Sequence, residues 1–428
     1  MEVKSSPPAA YRWIVLVFIS LAMFGNYYVY DSIAPIADLL KSQLSFSDEN
    51  IGLLYTSYSI AAIVVLLIGG YIIDRFGTKL SILFFGILCF VAAVITAVAS
   101  EFSIMLVGRM VLGLGAEPLI VAITTALAKW FKGKELSFAF GINLTIARLG
   151  SFAADNSPTW ASGSYNYWQE PLFIAVVIAF TCVIGAVGYW SLENRAEKKY
   201  VLGEKGEVDK LDFKNMFTFD KSFWYIVALC ITFYSAIFPF RSFAIKYFIE
   251  AHGTTRELGG FLNSILPFTA MIATPLFGLL ADKIGKRALL MTFGSILILP
   301  AYLLMAYTDI SLYIPIAMMG IAFSLIPAVM WPSVAYIVKE NRLGTAYALM
   351  TLIQQIGLAG MNWLIGFAND ISGASAANPD GYNLGMWIFS ILGFFGLFFA
   401  YMLRRTELGP KGHGLENRKM NEPALQSK

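Results

Sequence analysis

Hydrophobic residues recur along the chain in long runs that are separated by short polar segments. A helix needs about 20 apolar residues to cross roughly 30 Å of hydrocarbon, and twelve of these runs are long enough. We place the predicted helices at residues 12–34, 51–72, 79–99, 103–128, 136–157, 170–191, 222–247, 258–281, 287–307, 311–337, 343–369 and 382–403. A buried helix of a soluble protein explains one such run but not twelve. The pattern therefore predicts an all-α membrane protein with twelve transmembrane helices.

One polar segment, residues 193–221, interrupts this rhythm with seven basic and seven acidic residues. Such a density of charge predicts a solvated linker. The linker divides the chain into an N-terminal six-helix bundle, residues 1–192, and a C-terminal six-helix bundle, residues 222–403. Residues 404–428 then form a tail.

The two halves carry the same loop motif, Gly-x3-Asp-[Arg/Lys]-x-Gly-x-[Lys/Arg]. It contains Asp74 and Arg75 in the first half and, 208 residues later, Asp282 and Lys283 in the second. Its glycines permit a tight turn and close helix approach, and its carboxylate can meet a helix end or a basic group. Related halves are typical of secondary transporters. We expect these four charged residues to take part in gating, as a hinge and latch.

Composition and charge agree with a membrane protein. Of the 428 residues 57% are hydrophobic and 14% charged, whereas a soluble domain has about 45–50% and about 25%. With a cytoplasmic amino terminus, 25 of the 31 Lys and Arg fall in the termini or cytoplasmic loops, and only Lys41, Lys246 and Arg256 fall outside. Basic residues are retained in the cytoplasm, so both termini are predicted there. The net charge of +3 is too small to indicate nucleic acid.

Residues that carry enzyme or metal chemistry are scarce. Cys89, Cys182 and Cys230 fall in predicted helices, and His252 and His413 fall in a loop and the tail. This gives neither a disulfide framework nor a metal-ligand spacing, and no catalytic motif or repeated pore loop is evident. We expect a carrier that is not an enzyme or a channel, with no cofactor or metal. A sensor without transport, and the need for an accessory subunit, stay open; the transport unit is expected to be a monomer.

The repeated loops, together with Arg109-x3-Gly113-x-Gly115 in predicted helix four, resemble the signature of the major facilitator superfamily. The resemblance covers about residues 12–403. It implies two pseudo-symmetric six-helix bundles that rock about a central site, which is alternating access.

A narrower resemblance is to the family of lysosomal dipeptide transporters. It is carried by Tyr28-Val-Tyr30-Asp31, Trp130-Phe-Lys-Gly-Lys-Glu-Leu136, Ala147-Arg148-Leu-Gly-Ser151, Phe238-Pro-Phe240, Trp331-Pro-Ser-Val-Ala335 and Leu343-Gly-Thr-Ala-Tyr347. This implies a carrier of dipeptides, largely by facilitated diffusion. The short amino terminus lacks an acidic dileucine sorting signal, and the one glycosylation triplet, at Asn143, is inside a predicted helix. We therefore expect a microbial relative in the cell membrane.

Two opposite charges are predicted at the same depth in the membrane. Glu117 precedes the turn between helices four and five by 14 or 15 residues, and Arg148 follows it by 13. At 1.5 Å per residue both lie about 20 Å deep on neighbouring antiparallel helices. A carboxylate and a planar guanidinium there predict a clamp for a zwitterion, with Glu117 on the ammonium and Arg148 on the carboxylate. The family resemblance implies the same roles. A permanent ion pair between the two helices is the alternative.

A second pair, Asp31 and Arg241, lies 19 residues into helices one and seven. Both are then about 28 Å from the cytoplasmic face. We expect them to form an outer gate when the carrier faces inward, the alternative being two solvated helix-end charges. Arg109 is expected to snorkel to the membrane interface.

Amide and aromatic side chains of the predicted helices can hydrogen-bond a peptide backbone or contact its side chains. The candidates for substrate binding are Asn26, Tyr27, Tyr30, Tyr234, Asn263, Trp331, Gln354 and Gln355, with Tyr28 and Phe268 nearby. A uniporter of dipeptides is the expected function. Proton coupling through Glu117 or Asp31, and another solute such as an organic anion or a drug, are alternatives.

Overall fold

Twelve helices long and apolar enough to cross a membrane make up the computed structural model, which confirms the predicted architecture. The structure describes residues 7–131, 135–202 and 218–416, apart from the side chains at positions 70, 71, 74 and 341. The helices are α1 Ala9–Asp31, α2 Asp48–Gly69, α3 Arg75–Val98, α4 Phe102–Phe131, α5 Leu136–Asp155, α6 Gln169–Lys199, α7 Lys221–His252, α8 Arg256–Ile284, α9 Arg287–Tyr307, α10 Tyr313–Ile337, α11 Leu343–Ile371 and α12 Asn383–Glu407. α2 and α3 belong to one helical run, Asp48–Val98.

Helices α1–α6 and α7–α12 form two bundles, which meet chiefly where α2 packs on α11 and α5 packs on α8. We call the membrane face that carries residues 7 and 416 the terminal face and the opposite face the distal face. After α1 the chain continues at the distal face through a short helix, Ala37–Leu44. Its residues Leu39 and Leu40 are buried in one hydrophobic core with Phe248 of α7 and Leu262 of α8. The two bundles thus share a core at the distal face.

The repeated loops turn at matching glycines. Gly77 has φ 77° and ψ 169° where the run from α2 to α3 bends, and Gly285 has φ 73° at the end of α8. Residues with a Cβ avoid this backbone region, whereas glycine adopts it readily. Each half therefore makes its turn at the same position of the motif, on the terminal face.

The charges predicted to act as a latch differ in their surroundings. Asp282 forms an ion pair with Arg287 within its own loop. Arg75 is exposed beside the ring of Phe76, and Lys283 is exposed. The side chain of Asp74 lies outside the described part of the structure. The gating role of these four residues stays a prediction.

Helix α6 continues eight residues beyond its predicted end at residue 191, and it does so because its charged end is paired. Glu193 accepts hydrogen bonds from Lys129 at 2.6 Å and from Thr78 at 3.3 Å, and Lys79 contacts Glu197 at 2.6 Å. The linker predicted from residue 193 therefore begins later, and residues 203–217 lie outside the described residues.

The chain after α12 folds back on the second bundle. The carbonyl of Leu415 accepts from the backbone N–H of Arg287 at 2.8 Å, and Glu416 accepts from the N–H of Leu289 at 2.8 Å. Glu407, at the end of α12, accepts from the hydroxyl of Ser222 in α7 at 2.6 Å. The described part of the tail thus connects the terminal-face ends of α7, α9 and α12, and residues 417–428 lie outside the described residues.

Contacts between α2 and α11 follow one another from the middle of the membrane to the distal face, and we call this line the α2–α11 seam. Thr56 donates to the carbonyl of Ala359 at 2.7 Å. The backbone N–H groups of Asp48 and Glu49 donate to the carboxylate of Asp370 at 3.0 and 2.7 Å. Between these contacts the two backbones approach closely, since a Cβ on Gly52 would lie 2.2 Å from the carbonyl oxygen of Asn362.

Gly52→Ala should therefore force the seam apart, with a stability loss of about 1–3 kcal/mol, because backbone rather than a flexible side chain opposes the new atom. We expect more molecules to open at the distal face. The measurement is the rate at which a maleimide labels a cysteine introduced at Ser32, which is buried at the distal end of α1. Gly141→Ala is the matched control, because its Cβ would meet nothing within 4 Å. Equal labelling rates in both variants would contradict the prediction.

Candidate functional site

A cavity of about 270 Å³ lies between the bundles. It is lined by Asn26, Tyr27, Tyr30, Asp31, Tyr58, Glu117, Ile120, Arg148, Ser151, Tyr234, Phe238, Trp331, Thr351, Gln354, Gln355 and Leu358. Nine of the ten residues predicted to bind substrate are among them, and Asn263 is the exception. The structure brings the nine together, and their binding role stays a prediction.

Glu117 on α4 is an acidic residue in the lining of this cavity. Its Oε1 accepts one hydrogen bond from the hydroxyl of Tyr58 on α2 and one from Nε2 of Gln355 on α11, both at 2.9 Å. The second of these bonds crosses from one bundle to the other. Within the described residues Oε2 makes no hydrogen bond, so it is free to accept one from a ligand.

Arg148 on α5 is a basic residue in the lining of the cavity. Its guanidinium carbon lies 5.8 Å from the ring centroid of Tyr27 and 5.0 Å from that of Phe323, a distance at which the ring quadrupole attracts a cation. No carboxylate of the described residues forms an ion pair with it, Glu117 included. A permanent Glu117–Arg148 pair, the alternative interpretation of these charges, is therefore absent from this structure.

Ser151 follows Arg148 by one helical turn and was not predicted. The residue lines the cavity and is 1% exposed, and its hydroxyl has no partner among the described residues. Side chains at i and i+3 of a helix lie on the same face. Arg148 and Ser151 therefore present donors to one region of the cavity.

Aromatic residues form the wall on the second bundle. The indole N–H of Trp331 donates to the hydroxyl of Tyr234 at 3.0 Å, and the Trp331 ring lies 6.0 Å from that of Tyr347. Tyr234 also contacts the ring of Phe238 at 5.6 Å. The wall is apolar with few polar groups, which is typical of sites that bind small molecules.

A buried cluster of charged residues adjoins the cavity at the distal ends of α1 and α5. Arg241 of α7 contacts Asp31 of α1 at 3.4 Å and Asp155 at the end of α5 at 2.8 Å. Asn263 of α8 donates to the second oxygen of Asp155, also at 2.8 Å. The alternative of two solvated helix-end charges is wrong for Asp31 and Arg241, which are 6% and 3% exposed. Asn263 belongs to this cluster rather than to the cavity, which corrects its predicted place.

Asp155 was overlooked because it falls among the last residues of the predicted helix 136–157, where an acidic side chain is expected to be in contact with water. It is instead 0% exposed, because α8 of the other bundle covers it. The available signal was an acidic residue inside a predicted membrane helix, which is the signal that singled out Asp31.

Arg109 corrects another expectation. It is 1% exposed and does not snorkel to the interface. Its guanidinium donates to the carbonyls of Val29 and Tyr30, at 3.1 and 3.0 Å, and lies 5.1 Å from the ring centroid of Tyr55. Carbonyls at the end of a helix and aromatic faces both favour a cation. Arg109 therefore holds the distal end of α1, which carries Tyr30 and Asp31.

The remaining sequence expectations concern residues away from the cavity. Tyr28 is buried 6.4 Å from the ring of Trp160, and Phe268 is 45% exposed on α8. His252 is the last residue of α7, not a loop residue, and donates to or accepts from the hydroxyl of Tyr247 at 3.0 Å.

Comparison with known proteins supports the fold described above. The family model of the Major Facilitator Superfamily matches residues 19–253 and 240–426. The lysosomal dipeptide transporter MFSD1 of Danio rerio is 35% identical over 379 residues, which are 85% of this chain and 82% of the relative. The Homo sapiens protein of the same name is 32% identical over 380 residues, 85% and 81% of the two chains.

A crystal structure has the same fold. It is that of a bacterial homologue of the human lysosomal transporter Spinster, in an inward-facing and unoccupied conformation. The match has a TM-score of 0.74 at 16% identity and covers 94% of this chain and 98% of the other.

Proposed function

The chain belongs to the Major Facilitator Superfamily and is a membrane transporter, and from this premise we propose that its substrates are dipeptides. The observation that carries the proposal is the pair of opposite charges, Glu117 and Arg148, that line one cavity without pairing with each other, so that each can bind a ligand. A dipeptide is a zwitterion whose ammonium and carboxylate are separated by a peptide unit. The names of the relatives at 32% and 35% identity support the same substrate class.

Each of the two charged residues, Glu117 and Arg148, suits one terminus of the substrate and has a neighbouring hydroxyl that supports it. The free Oε2 of Glu117 accepts from the ammonium, and Tyr58 orients that carboxylate through its bond to Oε1. Arg148 offers a planar fork of donors that matches a carboxylate, and Ser151 adds a hydroxyl on the same helix face. The aromatic wall around Trp331 leaves the side chains of the peptide without specific polar partners, which suits a carrier with a broad range.

The transport mechanism that we propose is alternating access, and the contacts at the distal face support it. At the distal face Arg241 contacts Asp31 and Asp155, Lys246 contacts Asp48 at 2.8 Å, and Arg256 contacts both oxygens of Asp38 at 2.5 and 2.6 Å. All these contacts join one bundle to the other. We assign the structure to a state in which the distal face is closed. To admit substrate from the distal side, the bundles must rock apart at that face.

Facilitated diffusion is the proposed mode of transport, and proton coupling is the second candidate. Glu117 accepts hydrogen bonds only from the neutral groups of Tyr58 and Gln355 among the described residues. A carboxylate without an ion-pair partner is able to take up a proton during the cycle.

The predicted orientation, with both termini in the cytoplasm, makes the distal face extracytoplasmic. The chain is an integral membrane protein; the relatives are named lysosomal, and the cell membrane stays a prediction for this chain.

The test is thermal stabilisation of the purified protein by dipeptides, free amino acids, sugars and organic anions. A ligand at a hundredfold excess over its Kd stabilises the folded protein by about 2.7 kcal/mol, so the melting temperature rises for a true substrate. Uptake into proteoliposomes with and without a pH gradient then separates uniport from proton coupling. Stabilisation by a non-peptide solute alone would overturn the dipeptide proposal.

Ser151→Ala should weaken dipeptide binding by roughly three- to tenfold, because a hydrogen bond contributes about 0.5–1.5 kcal/mol. The loss should disappear for dipeptides with an amidated carboxyl terminus, since the hydroxyl serves the carboxylate. Competition of both peptides against labelled alanylalanine measures the difference. Thr351→Ser, which keeps a hydroxyl on the cavity wall, is the control. An equal loss for free and amidated peptides would assign Ser151 to another part of the substrate.

A further inference from the structure

Gln355 joins the two bundles at the cavity. It lies on α11 of the second bundle, and its Nε2 donates to Glu117 of the first bundle. An ionised carboxylate only accepts hydrogen bonds, so the amide nitrogen must face it. In the empty carrier this bond ties α11 to the residue that we propose to bind the substrate's ammonium.

The other end of the same amide is without a partner. Gln355 is 4% exposed and lines the cavity, and its Oε1 accepts no hydrogen bond from any described residue. Buried amide oxygens nearly always have a donor. A ligand that carries N–H groups into the cavity would supply the missing one.

Gln355 lies one helical turn before Ala359, where the α2–α11 seam begins. From Ala359 the seam runs through Asn362 to Asp370 at the distal face. The neighbouring amide, Gln354, also lines the cavity, but its contact is with the thiol of Cys230 in its own bundle, 3.9 Å away. Of these two adjacent amides, Gln355 is the one that bonds to the other bundle, and it lies one turn from the seam.

We infer that Gln355 is the residue through which the second bundle detects the amino group of the substrate, an inference that rests on the proposed dipeptide function. An arriving ammonium binds both oxygens of the Glu117 carboxylate: it donates to the free Oε2 and takes the place of the amide N–H at Oε1. The amide then turns its Oε1 to the ammonium and gains the donor that it lacks in the empty cavity. The direct bond between the bundles is replaced by a bond through the substrate.

This exchange has a kinetic consequence. The empty carrier must break the direct Gln355–Glu117 bond when the bundles rock, whereas the loaded carrier has already broken it and joins the bundles only through a ligand that can move with them. The loaded carrier therefore changes state faster than the empty one. Exchange of labelled dipeptide against unlabelled dipeptide on the other side should be several-fold faster than net uptake into empty vesicles.

Gln355→Met tests this role, because it keeps the length of the side chain and removes both hydrogen-bonding groups. In proteoliposomes with labelled alanylalanine, the ratio of exchange to net uptake should fall from several-fold to about one. Discrimination against N-acetyl-alanylalanine, which lacks the ammonium, should also fall. Gln355→Asn, a polar residue too short to reach Glu117, should behave in the same way and covers the case in which the methionine variant does not fold.

Gln354→Met is the matched control, and its ratio should equal that of the wild type whatever its uptake rate. A wild-type ratio in the Gln355 variants, with undiminished discrimination against the acetylated peptide, would overturn the inference while leaving the dipeptide function intact. A wild-type protein that takes up and exchanges no dipeptide would instead refute the proposed function, and the inference with it.

Discussion

Arg148→Ala should abolish saturable dipeptide uptake and weaken dipeptide binding by roughly a hundredfold or more. A hydrogen bond to a charged group contributes about 1.5–3 kcal/mol, and the guanidinium offers two to the substrate carboxylate. The variant should still fold, because no carboxylate of the described residues depends on Arg148 for charge compensation. Thermal shift with alanylalanine and uptake in proteoliposomes measure the effect.

The controls for this prediction change the shape of the cationic group at position 148, or test the residue and the peptide terminus at the opposite charge. Arg148→Lys keeps a cation but loses the planar fork, so it should recover only part of the affinity. Glu117→Gln should cause a comparable loss for free dipeptides and little loss for N-acetylated ones. If Arg148→Ala binds free and carboxyl-amidated dipeptides as the wild type does, the assignment of Arg148 to the carboxylate is wrong.

Arg241→Met should destabilise the protein by about 3–5 kcal/mol, the cost of leaving a buried ionised partner without compensation. Two carboxylates lose their cation, since Asp31 and Asp155 both contact Arg241. The loss should appear as a lower melting temperature in a fixed detergent. Labelling of a cysteine introduced at Ser32 should also become faster, because the cluster joins the bundles at the distal face.

A double variant separates loss of charge balance from loss of the gate. Arg241→Met combined with Asp155→Leu removes the cation and its closer anion together, and should regain most of the melting temperature. The labelling at position 32 should stay fast in the double variant, since the contact between the bundles is still missing. Wild-type labelling in both variants would show that the cluster stabilises the fold without closing the distal face.

That Glu117 and Arg148 line one cavity could be predicted from the sequence, and the contacts of their atoms could not. Glu117 and Arg148 were placed at one level because the rise per residue of a helix is fixed. The direction of each side chain around its helix depends on how neighbouring helices pack, which a single run of residues does not encode. Tyr58 was overlooked for this reason, and Asn263 was placed in the cavity although it faces Asp155.

Burial of charge was hardest to predict near the helix ends. Arg109 and Asp155 both lie where a charge can reach water in an isolated helix. Tertiary packing decides otherwise, because the end of α1 and its tyrosines surround Arg109 and α8 covers Asp155. By contrast, the pairing of Asp31 with Arg241 followed from the relation between the two halves, which places α1 and α7 at equivalent positions. Its gating role stays a prediction.

The folded-back tail has a consequence for how motion is shared between the bundles. By connecting the ends of α7, α9 and α12, residues 407–416 brace three of the six helices of the second bundle at one face. Helices that are connected in this way move together as a rigid body rather than bending individually. A small displacement of α11, which packs on α7, is then passed through α7 to α9 and α12 as well.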